Sequence, residues 1–210
     1  MRRLYPSIGI RDLLFLAFLI FGGTLSAQSD NPVEGIRDLK EGYLLIRLPG
    51  YRAKIDTLHN ILSTTKDQEE RGRLQKLLDA AVEERDSIHT QYKRAFKSLY
   101  NFSKTAYFFD YEARKLPDAH FFTMDGEPVS WSMISNKPFF TMHFERTQES
   151  KVDALVIYNA EGQKMKRPFP NDFTRSGFNF LFLRLTEKPF ADWRVSKINK
   201  RFHQFWNQVN

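Results

Sequence analysis

The spacing of apolar residues divides the chain into a helix-dominated first half and a strand-dominated second half. Residues 42–48 form a short apolar run that ends at Pro49 and Gly50, and apolar residues on both faces predict a central strand. The apolar residues that follow have helical spacing and predict a helix: Tyr51, Ile55, Leu58 and Leu62.

A second and longer helix is predicted over residues 67–100, with Asp67 as its N-cap. Acidic residues concentrate early and basic residues late, which suits the helix dipole. Its stripe, which includes one arginine, comprises Leu74, Leu78, Ala81, Arg85, Ile88, Tyr92, Ala95 and Leu99. The stripe favours packing on the preceding helix and the sheet, and it leaves open an oligomer formed through the 67–100 helix.

Strand patterns dominate the second half, where the aromatic residues concentrate. Strands are predicted at residues 106–112, 120–124, 127–129, 139–146, 154–158, 163–169 and 178–185. Asp125 and Gly126 predict a hairpin turn, and residues 159–162 predict another. The last helix carries an apolar stripe typical of docking on a sheet: Val195, Ile198, Phe202, Phe205 and Val209.

These elements predict an α+β fold with a mixed, mostly antiparallel sheet, a long helical hairpin near the N-terminus and a C-terminal helix packed on the sheet. A helical crossover joins the first strand to the strand at 106–112, so these two are expected to be parallel. Residues 28–210 are expected to form a single domain. It is helix-rich over 34–104 and strand-rich over 105–190, and the C-terminal helix covers 192–209.

Residues 1–27 have the pattern of a signal peptide for the general secretory route. Three arginines precede nine apolar residues at 13–21, and small residues before Ala27 indicate a cleavage site there. Nine residues rise only ~14 Å as a helix, which is short of a ~30 Å hydrocarbon core. We therefore expect a periplasmic or secreted protein with no transmembrane anchor after cleavage.

The chain has no cysteine, which excludes disulfides, thiolate catalysis, Cys-containing zinc sites and a lipoprotein anchor. It also lacks a P-loop, a GxGxxG fingerprint and a GxSxG elbow. No cofactor is therefore expected. The absence of a catalytic signature favours a non-catalytic cell-envelope protein, with a periplasmic hydrolase or metal-dependent enzyme as the alternative.

Basic charge concentrates in residues 151–210, where eleven Lys and Arg stand against five Asp and Glu. An exported protein seldom meets nucleic acid, so an anionic lipid or glycan, or an envelope protein, is the expected partner. A solvated face explains the same charge without any ligand. The residues that indicate an anionic surface are Lys164, Lys166, Arg167, Arg194, Lys197, Lys200 and Arg201.

Histidines and carboxylates offer candidate chemistry. His143 and Glu145 alternate on one predicted strand and His120 lies on another, so a His/His/Glu metal site is a geometric possibility. Asp110 and Glu112 alternate in the same way and form a carboxylate pair of the kind used for acid–base catalysis. Solvated strand faces account for both patterns equally well.

Two resemblances rest on short motifs. Residues 154–165 (ALVIYNAEGQKM), followed by a C-terminal helix, resemble the late hairpin of thioredoxin-like proteins. The redox cysteine pair is absent, so that resemblance implies a degenerate binding domain. Residues 41–48, 100–103 with 107–109, 154–157 and 167–170 resemble an uncharacterised family of small exported Bacteroidota proteins, a likeness that implies compartment and lineage and no catalytic residues.

Overall fold

The computed structural model describes residues 31–146, 153–174 and 189–210. Its α-helices are α1 (Pro32–Glu41), α2 (Arg52–Thr64), α3 (Gln68–Leu99), α4 (Trp131–Ser135) and α5 (Phe190–Val209), and a 3₁₀ helix covers Asp110–Asp118. Its strands are β1 (Tyr43–Leu48), β2 (Lys104–Phe109), β3 (Phe121–Phe122), β4 (Pro128–Val129), β5 (Phe139–Arg146), β6 (Asp153–Tyr158) and β7 (Asp172–Thr174). Every helix in these three ranges is too short or too polar to cross a lipid bilayer.

The seven described strands form one mixed sheet in the order β4-β3-β2-β1-β5-β6-β7. Strand β1 pairs in parallel with both β2 and β5, and the other neighbours pair antiparallel. The crossover through α2 and α3 accounts for the parallel pairing of β1 and β2. The predicted α+β fold with a mixed, mostly antiparallel sheet is confirmed.

Strand β1 lies at the centre of the sheet because it can bury side chains on both faces. Leu44 and Ile46 join the main core on one face, while Tyr43 and Leu45 join a smaller cluster on the other. Arg47, near the carboxyl end of β1, faces the same side as Tyr43 and Leu45. The strand therefore places one cation against its neighbours in an otherwise apolar sequence.

The helical hairpin is formed by α2 and α3, which pack on each other through Ile55, Leu78 and Ala81. A carboxylate oxygen of Asp67 accepts a hydrogen bond of 2.8 Å from the Glu70 amide, so the predicted N-cap is confirmed. The later half of α3 enters the main core, where it buries Tyr92, Ala95 and Phe96.

Helix α5 docks on the main core as its stripe predicts. Val195, Ile198, Phe202 and Phe205 are buried there with Phe140 of β5. The helix begins at Phe190, two residues before the predicted start. Burial of four large apolar side chains stabilises this arrangement by roughly 1.5–3 kcal/mol each, before the entropy of ordering is subtracted.

Two predicted strands differ from the structure. The strand predicted at 106–112 begins earlier, at Lys104, and ends at Phe109. Asp110 accepts a hydrogen bond from the Gly50 amide through Oδ1 at 3.0 Å, and the chain turns into the 3₁₀ helix there. The prediction that Asp110 and Glu112 share a strand face is therefore wrong.

Residues 163–169 do not form a strand. Only a bridge between Tyr158 and Lys164 returns towards β6, and the strand that pairs with β6 on the side opposite β5 is β7. Pro168 and Pro170 have no amide hydrogen to donate, which prevents a continuous ladder. The strand predicted at 178–185 lies outside the described residues.

The apolar spacing did not predict α1 or α4. In α1, Asn31 caps the helix by accepting a hydrogen bond of 3.0 Å from the Val33 amide, and Pro32 occupies the first turn. The hairpin around Asp125 and Gly126 is present, and Gly126 has a φ of +90° that glycine tolerates without cost. Its strands β3 and β4 have only two residues each.

Candidate functional site

A cavity of about 520 Å³ lies between the segment that precedes β7 and one face of helix α5. Three of the side chains that line it are cationic: Arg167 from the segment, and Lys197 and Arg201 from the helix. The rest of the lining is formed by Pro168, Phe169, Pro170, Asn171, Asp172 and Thr174. We call this cavity the basic pocket.

The segment that carries Arg167 is held in place by its buried neighbours. The Phe169 ring is buried and stacks on the Phe140 ring, with 5.8 Å between centroids. The Asn171 side-chain amide donates a hydrogen bond to the Met165 carbonyl oxygen. The peptide bond between Arg167 and Pro168 is cis. The buried Phe169 between the two prolines, and the Asn171–Met165 hydrogen bond across them, hold this wall of the basic pocket in place without a ligand.

Lys197 and Arg201 lie four residues apart on α5, so they share one face of the helix. The Lys197 ammonium is 4.7 Å from the centre of the Trp193 ring. Arg201 lies 5.5 Å from the Phe173 ring centre and donates a hydrogen bond of 3.4 Å to the Asp172 carbonyl oxygen. Burial lowers the pKa of Lys197, and repulsion by Arg201 and Arg194 lowers it further.

The structure separates the seven basic residues predicted to form an anionic-surface site. Arg167, Lys197 and Arg201 converge on the basic pocket. Lys164 is exposed, lies 3.4 Å from an Asp172 carboxylate oxygen and does not line the basic pocket. Lys166 and Lys200 are exposed and do not line the basic pocket.

Arg194 does not belong to a surface site, and its prediction is wrong. Only 3% of the residue is exposed. Its guanidinium donates to the Tyr92 hydroxyl at 3.2 Å and to the Asp153 carbonyl oxygen at 2.7 Å, so it joins α5, α3 and β6. Its hydrogen-bond partners belong to the fold, so this buried cation is not available to a ligand.

The three candidate metal ligands are also separated. His143 and Glu145 are neighbours, with 3.5 Å between Nδ1 and Oε1. His120 is instead 2.8 Å from a Glu112 carboxylate oxygen, beside β3, and strands β2 and β1 lie between β3 and β5. Within the described ranges, no group of three or more His, Asp or Glu side chains is suited to hold a metal ion. The predicted His/His/Glu site is therefore not assembled.

His143 and Glu145 take part in a different cluster, which the sequence pattern did not indicate. Arg47 pairs in register with His143, and its Nη1 lies 3.5 Å from the His143 Nδ1. The Tyr158 hydroxyl donates to both Glu145 carboxylate oxygens, at 2.9 and 2.8 Å. The cluster lies on the adjacent strands β1, β5 and β6. From β1 the strands follow in chain order outwards on both sides, through β2, β3 and β4 on one side and through β5, β6 and β7 on the other. We call these four residues the seam cluster.

Burial determines the protonation of the seam cluster. Burial, together with repulsion by Arg47, lowers the pKa of His143 to about 4, although Glu145 opposes the shift. A neutral imidazole accepts the Arg47 hydrogen bond at Nδ1 and carries its proton on Nε2. Burial and the bond to Glu145 raise the pKa of Tyr158 to about 12, so the phenol stays protonated. The seam cluster is therefore a hydrogen-bonded network with one neutral histidine, in which the buried Arg47 Nε has no hydrogen-bond partner.

Comparisons with family models, with curated proteins and with solved structures find no match to this chain. Family and lineage therefore rest on the short motifs of residues 41–48, 100–103, 107–109, 154–157 and 167–170, and both stay predictions. The likeness of residues 154–165 to a thioredoxin-like hairpin is likewise untested.

Proposed function

We propose that this chain is an exported, non-catalytic cell-envelope protein that binds an anionic lipid or glycan in the basic pocket. The observation that carries the proposal is the convergence of Arg167, Lys197 and Arg201 on one cavity. In the described part of the chain, none of the three forms a salt bridge with a carboxylate. Like charges brought together without a counter-ion favour the entry of an anion.

The size and the rigidity of the basic pocket support the same conclusion. Its volume of about 520 Å³ falls within the ~300–1,000 Å³ range of small-ligand sites. Phe169 and Asn171 hold one wall and α5 forms the other, so little ordering is required on binding. The side chains of the seam cluster already hydrogen-bond to one another, so they offer less to a ligand.

A charge-reversal pair on α5 tests the proposal. Lys197→Glu places a carboxylate in the basic pocket, and we expect it to weaken binding to anionic vesicles or acidic glycans by at least about tenfold, through repulsion. Lys200→Glu makes the same change in net charge on the same helix, outside the lining, and should weaken binding less than about threefold. Binding of residues 28–210 is measured by co-sedimentation with vesicles at increasing salt concentration.

Equal loss of affinity in the two variants would show that net charge, rather than the basic pocket, attracts the anion. Binding that is absent, or that does not weaken with salt, would contradict the proposal itself.

Export is supported by the leader at residues 1–27. We expect the protein from the cell envelope to begin at Gln28, and N-terminal sequencing of the fractionated protein measures this. Recovery of the intact chain from the cytosol would contradict export.

A further inference from the structure

We propose that the ligand of the basic pocket carries a phosphate monoester, in addition to being anionic. The inference rests on the proposed function and specifies the chemistry of its ligand. It follows from the number of uncompensated charges, the type of donor on the walls and the charged surroundings of Lys197.

The charge of the lining favours a dianion. Three cations line the basic pocket, and Asp172 is the one acidic residue among the lining side chains. The Asp172 carboxylate is already paired with Lys164, 3.4 Å away, so it does not neutralise the other three. A carboxylate or a sulfate ester brings one negative charge, whereas a phosphate monoester brings between one and a half and two near neutral pH.

The donors available are those that bind phosphate well. Pro168 and Pro170 have no amide hydrogen, so the segment offers few backbone donors to an anion. Recognition therefore depends on side chains. The guanidinium groups of Arg167 and Arg201 can each bind two phosphate oxygens, and the Lys197 ammonium adds a point charge.

The response of Lys197 to a bound anion follows from its surroundings. Burial and the charges of Arg201 and Arg194 lower its pKa. A phosphate dianion beside the ammonium offsets that repulsion and favours the charged form. Ligand and lysine therefore stabilise each other's charge, and the effect grows with the charge of the ligand.

The basic pocket suits a phosphate on a soluble sugar or on a lipid headgroup. Both sources share the monoester, and the test separates them. Three hexoses with one anionic group each serve as soluble probes: glucose 6-phosphate, glucose 6-sulfate and glucuronate. Vesicles with phosphatidic acid, a monoester, are compared with vesicles of equal surface charge that contain phosphatidylglycerol, a diester.

Calorimetry on residues 28–210 is expected to show glucose 6-phosphate binding at least about tenfold more tightly than the other two hexoses at pH 7.5. The preference should shrink several-fold at pH 5, because the second phosphate pKa lies near 6. Lys197→Glu should remove the preference and Lys200→Glu should retain it. A preference for phosphatidic acid vesicles over diester vesicles identifies a lipid source, and a preference confined to the hexose identifies a soluble one.

Equal affinity for the three hexoses, and for the two kinds of vesicle, would overturn the monoester assignment and leave anion binding in place. Absence of binding to every probe would overturn both proposals. A phosphate preference that survives Lys197→Glu would move the site away from the basic pocket and so overturn the assignment.

Discussion

Replacement of Gly42 by alanine is expected to destabilise the fold severely. A Cβ atom at this position would lie 1.9 Å from the Pro138 carbonyl oxygen and 2.8 Å from the Asp38 carbonyl oxygen. Both are backbone atoms, so no side chain can rotate to relieve the clash. We expect a loss of more than about 4 kcal/mol, a large part of the ~5–15 kcal/mol by which domains are stable.

The position of Gly42 explains why the chain cannot adjust around a methyl group. Gly42 joins α1 to the central strand β1, and its carbonyl oxygen accepts a hydrogen bond from the Lys104 amide at 3.3 Å. The next amide, that of Tyr43, donates to the Pro138 carbonyl oxygen at 3.0 Å. A shift that relieves the clash therefore disturbs the parallel pairing of β1 with both neighbours.

Gly72→Ala is the matched control. Gly72 is exposed in α3, and a Cβ atom there meets nothing within 4 Å. Alanine favours a helix interior over glycine by about 0.5–1 kcal/mol, so this variant should be slightly more stable than the wild type. Urea unfolding followed by circular dichroism measures both variants. An unfolding midpoint of Gly42→Ala equal to that of the wild type would refute the argument from close approach.

Elements with a long, uninterrupted pattern could be predicted from sequence with nearly correct bounds. The helix predicted at 67–100 is α3, Gln68–Leu99, because one apolar stripe and one N-cap define it. The strand predicted at 139–146 matches β5. In both cases local preference and tertiary packing agree, which is the condition under which pattern analysis succeeds.

Prediction was poorer where contacts distant in sequence decide the structure. A strand is predicted at residues 163–169, yet Met165 and Phe169 turn into the main core and Asn171 holds the turn. The short strands β3 and β4 depend on pairing with β2 rather than on their own composition. Side-chain docking of this kind leaves little periodic signal.

The candidate site was predicted in part. Composition located the basic charge, but the fold selects three of seven residues for the basic pocket. Arg194 could have been excluded from spacing alone, because it lies four residues before Ile198 and eight before Phe202, on the apolar stripe of α5. The seam cluster could not have been predicted, since the pairing of Arg47 with His143 depends on the register of β1 and β5.

The second large effect concerns the pH dependence of folding through His143. Its pKa falls from the ordinary 6.5 to about 4 in the folded protein, with burial as the largest cause. Between these values the unfolded chain binds a proton that the folded chain does not. The corresponding stability is fully present above about pH 6.5 and is lost as the pH falls towards 4.

We expect the loss to be roughly 2–3 kcal/mol, since one pKa unit corresponds to ~1.4 kcal/mol and one fifth of the side chain is exposed to screening solvent. The hydrogen-bond geometry also explains why acid lowers the stability of the folded protein. Nδ1 accepts from Arg47 in the neutral ring, whereas a protonated ring can only donate there, towards Glu145. At low pH the protonated His143 ring therefore repels the Arg47 guanidinium instead of accepting its hydrogen bond.

His143→Asn separates this effect from the titration of the carboxylates. The asparagine amide oxygen stands close to the position of Nδ1 and can still accept from Arg47, but the side chain does not titrate. Chemical unfolding at pH 7 and pH 4 gives the free energy of unfolding of both proteins. The wild type should lose about 2–3 kcal/mol more than His143→Asn over this interval. Equal losses in the two proteins would contradict this prediction. They would mean that the pKa of His143 is the same in the folded and the unfolded chain, and a group whose pKa is unchanged by folding adds no pH dependence to stability.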